Sequence, residues 1–277
     1  FLNEMEGWDK CSNQLFMYDY VPNYNAWFRP HPNLHVIQPN LKTFVEHDIT
    51  ATFVSGCTEP KGEFTLLRSY LIAQSLWNPY RDDQEIIDEF LKLYYKDGAS
   101  FVKQYIRLCE RTAQRKKAVI TCYDPGWWID AAMVTKARAI FDRAYRKVKD
   151  PEARDRLEVL ELAVEYAAMT CAPTITITDG VMRIERPECM SVPDFMALLK
   201  DKGVKEVDES TWITGDMMPH FRRGFGEARH EESEIMVLEN EVTELWVVPA
   251  LYGSTIRWRE KETGAEFLAG YQRYGAG

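Results

Sequence analysis

Residues Leu15–Phe28 read LFMYDYVPNYNAWF, with six aromatic side chains beside an aspartate, two asparagines and a proline. A buried strand disfavours Asp19, and an ordinary loop disfavours so many rings. The first six residues are predicted to form a strand ending at Tyr20. A loop follows that carries Pro22, Pro30, Pro32 and Pro39. Next comes LKTFVEHD, with Leu41, Phe44 and Val45 at the i, i+3, i+4 spacing of a helix. The β-branched run ITATFV (49–54) reads as a second strand, and the loop SGCTEPKG opens a helix, EFTLLRSYLIAQSLW, that stops at Asn78-Pro79. Strand, loop and helix, twice over, is the unit of a parallel α/β sheet or barrel.

At 277 residues and 32.3 kDa the chain has the length of about two domains. Its net charge of −9 and its pI near 5.2 come without a basic patch, which argues against nucleic acid as a partner. No apolar run approaches the roughly 20 residues of a membrane helix. The six cysteines (Cys11, Cys57, Cys109, Cys122, Cys171, Cys189) form no CxxC pair. They are expected to be mostly buried thiols, with disulfide pairing left open and no metal or cofactor site. The first residue is Phe1, with neither methionine nor signal peptide, so the sequence is read as a fragment or processed product.

Four parts are expected: 1–80, α/β; 81–172, helical; 173–233, mixed; and 234–277, β-rich. In the second part, DDQEIIDEFLKLYY and ASFVKQYIRLCERTAQ precede a turn at YDPG and two long helices, near 128–148 and 151–171. These helices are expected to be antiparallel neighbours in a small bundle, with Pro151 just inside the second. TITITDGVMRIE is a hairpin around Asp179-Gly180. SVPDFMALLKDKG is a short helix capped by Ser191 or Asp194. From Glu234 on, the alternation reads as the first strands of a β-sandwich.

The order of pieces from LFMYDY through PNLHVIQPNLKTFVEH and ITATFVSG to GEFTLLRSYLIAQSLWNP resembles the last third of a glycoside-hydrolase-like (β/α)8 barrel. The likeness is to bacterial proteins of a domain-of-unknown-function family found in polysaccharide-degrading systems, and more distantly to β-hexosaminidases and α-glucuronidases. It runs from about Gly7 to Cys171 and rests on EFxxLRxYLxxxxLWNP. It implies a fold class of α/β, the last strands and helices of a (β/α)8 barrel. A helical bundle and the start of a mutarotase-like β-sandwich would follow. LFMYDY would then be the seventh barrel strand and ITATFV the eighth. Catalytic groups in such barrels sit at the carboxyl ends of strands. The resemblance also implies a carbohydrate substrate and a periplasmic or secreted location.

On that reading Tyr18, Asp19, Tyr20, Asn23, Trp27 and Glu63 are the candidate substrate contacts. Aromatic faces stack on sugar rings, while carboxylates and amides hydrogen-bond hydroxyls. Each has a plain structural alternative. Strand parity leaves open whether Asp19 or its flanking tyrosines point inward. In hexosaminidase-like enzymes the spacing here is tyrosine, any residue, aspartate, whereas Asp19 directly follows Tyr18. Asn23, Tyr24, Trp27 and Phe28 are either an exposed ligand platform or packing against the rest of a barrel. Glu63 opens a helix, where a carboxylate suits the dipole. Arg68, five residues on, is placed to pair with it only poorly. Glu59 shares the same loop. Trp77 is expected in the core, His31 and His35 as structural hydrogen-bonders, and Asp124, Trp127, Trp128 and Asp130 as a turn and helix start.

The carboxylate pair of a hexosaminidase-like barrel lies on the fourth strand, which would precede Phe1, so no catalytic residue is assigned. Three functions follow as expectations: the C-terminal half of a glycoside hydrolase, a non-catalytic carbohydrate-binding protein, or a scaffold whose helices contact partners. With strand edges open, the chain by itself is expected to be poorly soluble.

Overall fold

The structure, a computed structural model, describes residues 2–171, 173–209, 213, 230–249 and 254–267. A helix α1 (Leu2–Asp9) leads into β1 (Leu15–Tyr20), which pairs in parallel with β2 (Ile49–Ser55) through the crossover helix α2 (Leu34–Glu46). Helix α3 (Thr65–Trp77) follows β2. Side chains alternate across this two-stranded sheet. Met17, Ile49 and Val54 pack against the main core, whereas Phe16, Tyr18, Tyr20 and Phe53 are exposed on the other face. Parallel sheets are ordinarily covered on both faces. Among the described residues, this one is covered on one.

Helix α2 begins seven residues before the predicted LKTFVEHD and carries Pro39 inside it. A proline there forfeits one backbone hydrogen bond and usually marks a helix end. The buried stripe Leu34, Ile37, Leu41, Phe44 runs straight through, and Pro39 itself is exposed, so the packing outweighs the lost bond. In α3 the buried positions Leu67, Leu71 and Ser75 turn Trp77 outward. Trp77 is 91% exposed, which corrects its assignment to the core.

Helices α4 (Asp83–Tyr95), α5 (Ala99–Arg115), α6 (Ala131–Lys147) and α7 (Pro151–Thr170) pack as a ring, each against the next and α7 against α4. Three of the four entrances are set by aspartates, while α5 starts after Gly98 without a side-chain cap. Asp82 accepts from the Glu85 N–H at 3.0 Å, Asp130 from Met133 at 2.8 Å, and Asp150 from Ala153 at 3.0 Å, with Pro151 in the first turn. One apolar core continues from α2 and α3 into this bundle, centred on Trp128, Tyr105 and Phe141. No helix among the described residues is long and apolar enough to cross a membrane.

Strands β3 (Thr174–Thr178) and β4 (Val181–Glu185) form the expected hairpin, with positive φ at Asp179 (54°) and Gly180 (74°), as a type I′ turn requires. Helix α8 (Val192–Asp201) is capped by Ser191, whose hydroxyl accepts from the Asp194 N–H at 3.2 Å. Strand β5 (His230–Glu234) adds to β4. Strands β6 (Met236–Glu239), β7 (Thr243–Val248) and β8 (Ser254–Glu260) make a separate antiparallel sheet. All six cysteines are free, and only Cys109 and Cys171 are buried, fewer than expected.

Candidate functional site

The carboxyl ends of β1 and β2 meet a loop, residues 21–31, held from several sides. The Tyr24 N–H donates to the Cys122 carbonyl at 2.8 Å, and the Trp27 N–H to that of Val207 at 2.7 Å. In return the Trp27 carbonyl accepts from the Glu63 N–H at 2.7 Å, and the Tyr24 carbonyl from the Glu209 N–H at 3.2 Å. Asn23 is buried, donating to the Asp124 carbonyl at 2.7 Å and accepting from the Asn25 N–H at 3.1 Å. Trp27 and Phe28 are not an exposed platform. They are buried (Trp27 4% exposed) in a cluster with Leu162, Tyr166, Met169, Phe195, Leu199 and Val207. Their partners lie more than a hundred residues downstream, on α7, α8 and the segment after α8.

Glu63 and Arg68 form a buried ion pair at 2.7 Å, contrary to the poor pairing expected from their spacing. Phe64 has φ +51°, so α3 starts only at Thr65 and Glu63 stands outside it. Helical spacing therefore does not govern the pair. The same guanidinium donates to the His31 carbonyl at 2.6 Å, to Asn33 Oδ1 at 3.1 Å and to the Glu63 carbonyl. Burial pushes the Glu63 carboxyl upward, and Arg68 opposes that shift. Glu59 is also used internally, accepting backbone N–H groups of Lys61 (3.0 Å), Lys205 (2.7 Å) and Glu206 (3.2 Å). Between them, Gly62 allows a tight approach: a Cβ there would lie 2.8 Å from Thr65 Oγ1 and 3.1 Å from the Trp27 carbonyl.

Trp27, Arg29 and His31 line a narrow cleft with Asn23, Cys57, Thr65 and the ion pair. Trp27 Nε1, Arg29 Nε and His31 Nδ1 are buried there without a hydrogen-bond partner among the described residues. Burial, with Arg68 and Arg29 nearby, lowers the His31 pKa to about 3, so the ring is neutral.

An aromatic row runs along the exposed face and through the buried ring of Tyr24. The Tyr18 ring lies 4.8 Å, centre to centre, from both Tyr20 and Phe53. Tyr20 lies 5.5 Å from Tyr24, and Tyr24 lies 5.9 Å from Tyr123. The Tyr24 hydroxyl donates to Ser55 Oγ at 2.6 Å, and burial pushes its pKa up to about 12. The Tyr123 hydroxyl reaches Glu209 Oε1 at 3.4 Å.

Of the six sequence candidates, Tyr18 and Tyr20 share this face, each about half exposed. Asp19 is beside Val54 on the opposite, helix-facing side, where burial raises its pKa and the Tyr20 backbone opposes. Asn23, Trp27 and Glu63 line the cleft behind. The six do not converge on one mouth. Phe53, Tyr123 and Glu209 join the face instead. Phe53 lies in the strand read from ITATFV, but nothing local marked Glu209.

The turn YDPGWWID is structural, as expected: Asp124 accepts from Trp128 Nε1 at 2.8 Å and from the Gly126 N–H at 3.1 Å. His35 is exposed, 3.8 Å from Glu110. Among the described residues no group of three or more His, Cys, Asp or Glu is arranged to hold a metal ion.

No curated protein matches the chain, and no solved structure does. Residues 1–107 match the profile of a family described as Domain of unknown function (DUF4838), which covers α1 through β1, β2 and their helices.

Proposed function

We propose that this chain is carbohydrate-active and contributes the substrate-contact part of a glycoside-hydrolase-type (β/α)8 barrel. The observation that carries the reading is the row of exposed rings, Tyr18, Tyr20 and Tyr123, at and beyond the carboxyl end of a parallel strand pair. Sugar-contacting walls combine apolar ring faces with hydroxyl and carboxylate edges, and this row has both. The bare face and open strand edges are what further barrel strands would enclose. A non-catalytic binder on the same scaffold is the second reading. It is favoured by Glu59 and Glu63, which spend their carboxylates on internal partners.

Tyr18→Ala and Tyr20→Ala are each expected to weaken oligosaccharide binding by about 1 kcal/mol while leaving thermal stability nearly unchanged, since both rings are half exposed. Calorimetric titration of the protein with a panel of neutral oligosaccharides checks this. Affinities indifferent to both substitutions would remove the sugar assignment.

A further inference from the structure

The segment Val204–Glu209 comes from beyond α8, yet it is built into the strand ends. Its backbone is pinned by the Trp27 N–H on the Val207 carbonyl, by the Glu209 N–H on the Tyr24 carbonyl, and by Glu59 on the N–H groups of Lys205 and Glu206. Three carboxylates arrive this way, and the chain points them differently. Glu206 is buried and takes the Thr58 hydroxyl. Asp208 is buried, on the side of Tyr166. Glu209 alone of the three is exposed, with its backbone fixed to Tyr24 and one carboxylate oxygen on the Tyr123 hydroxyl.

Glu209 forms no ion pair with any described lysine or arginine. The groups that shift the Tyr24 and Tyr123 phenols are other tyrosines, Cys122, Ser55 and Glu209, again without a cation. A ring platform bordered by a carboxylate with no cationic partner among the described residues attracts hydroxyl and ammonium donors and repels a second carboxylate.

Resting on the carbohydrate reading above, we propose that Glu209 sets the ligand charge at this face, admitting neutral or amino sugar units and rejecting uronates. The backbone bond to Tyr24 holds the carboxylate at the platform edge, and a hydroxyl or ammonium group of a sugar lying over the exposed rings of Tyr20 and Tyr123 meets its free oxygen. A uronate in the same place meets like charge at a few ångströms.

The test is titration of the full chain at low salt with three oligosaccharides of equal length: glucosamine, N-acetylglucosamine and galacturonate oligomers. The glucosamine and N-acetylglucosamine oligomers should bind more tightly than galacturonate by about tenfold or more, and added salt should compress the gap. Glu209→Gln keeps the shape and hydrogen-bonding capacity and removes the charge, so it should bring the three within about threefold of one another. The net charge of −9 acts on all probes and barely changes in this variant, so a collapse of the order isolates Glu209. An order that survives Glu209→Gln while binding still depends on Tyr20 overturns this inference and leaves the carbohydrate reading standing. Binding that ignores Tyr20→Ala in every probe removes both, and galacturonate binding tightest overturns the proposal outright.

Discussion

Arg68→Met is expected to destabilise the fold by roughly 3–5 kcal/mol, the usual cost of leaving one member of a buried ion pair alone. The guanidinium is 7% exposed and its partner carboxylate 2%. Methionine fills much of the volume but donates nothing. It strands the Glu63 carboxylate together with the carbonyls of His31 and Glu63 and the Asn33 amide oxygen. Urea unfolding should show a lower midpoint at unchanged slope. The double variant Glu63→Gln, Arg68→Met should recover part of the loss, because the stranded charge is gone while the carbonyls stay unpaired. A single-variant loss below about 1 kcal/mol would show that water reaches the pair. The effect should extend to ligand binding. Arg68 holds the loop at His31, and that loop carries Tyr24 at the centre of the aromatic row.

That clamp also shows where local sequence logic stops. Spacing of i+5 is a poor pair only if both residues are helical, and a single left-handed residue, Phe64, takes Glu63 out of the helix. No propensity flags a phenylalanine at positive φ. The strands themselves were legible from their alternation and β-branched content. The hairpin at Asp179-Gly180 and the aspartate-led helix starts were legible because each depends on neighbours a few residues away. Pro39 misled for the opposite reason: its cost is local and certain, while the packing that overrides it comes from other elements.

The aromatic loop divides along the same line. Tyr18 and Tyr20 stay exposed as strand parity allows, but the burial of Trp27 and Phe28 depends on Leu162, Tyr166, Phe195 and Val207. Glu209 reaches the site through a backbone bond spanning 185 positions, from residue 24 to residue 209, and the second glutamate of KEVDES carries no local sign of that. Asp19 was ambiguous until the register placed it beside Val54, whose contact with the core fixes the face.

Acid should expose the second large effect, through His31. The ring is 4% exposed, with Arg68 and Arg29 close by, and its pKa falls from 6.5 to about 3. The sign follows from proton uptake. Below pH 6.5 the unfolded chain binds a proton at this histidine that the folded chain refuses until about pH 3, so stability falls as pH drops across that window. The slope is about 1.4 kcal/mol per pH unit, which gives a loss of roughly 3 kcal/mol two units below the ordinary histidine value. Glu63 works the other way: its raised carboxyl binds a proton more readily in the fold than out of it, adding stability as pH falls toward its ordinary value of 4.5. The two therefore have to be separated by substitution. His31→Gln keeps a side-chain N–H for the Val21 carbonyl and cannot titrate, so the difference in unfolding free energy between wild type and variant should close by several kcal/mol as pH falls from about 7 to about 4. Chemical denaturation at stepped pH reads that difference, and parallel stability curves for the two proteins would mean that the ring is protonated in the fold and that water or a counter-ion reaches the cleft behind the tyrosines.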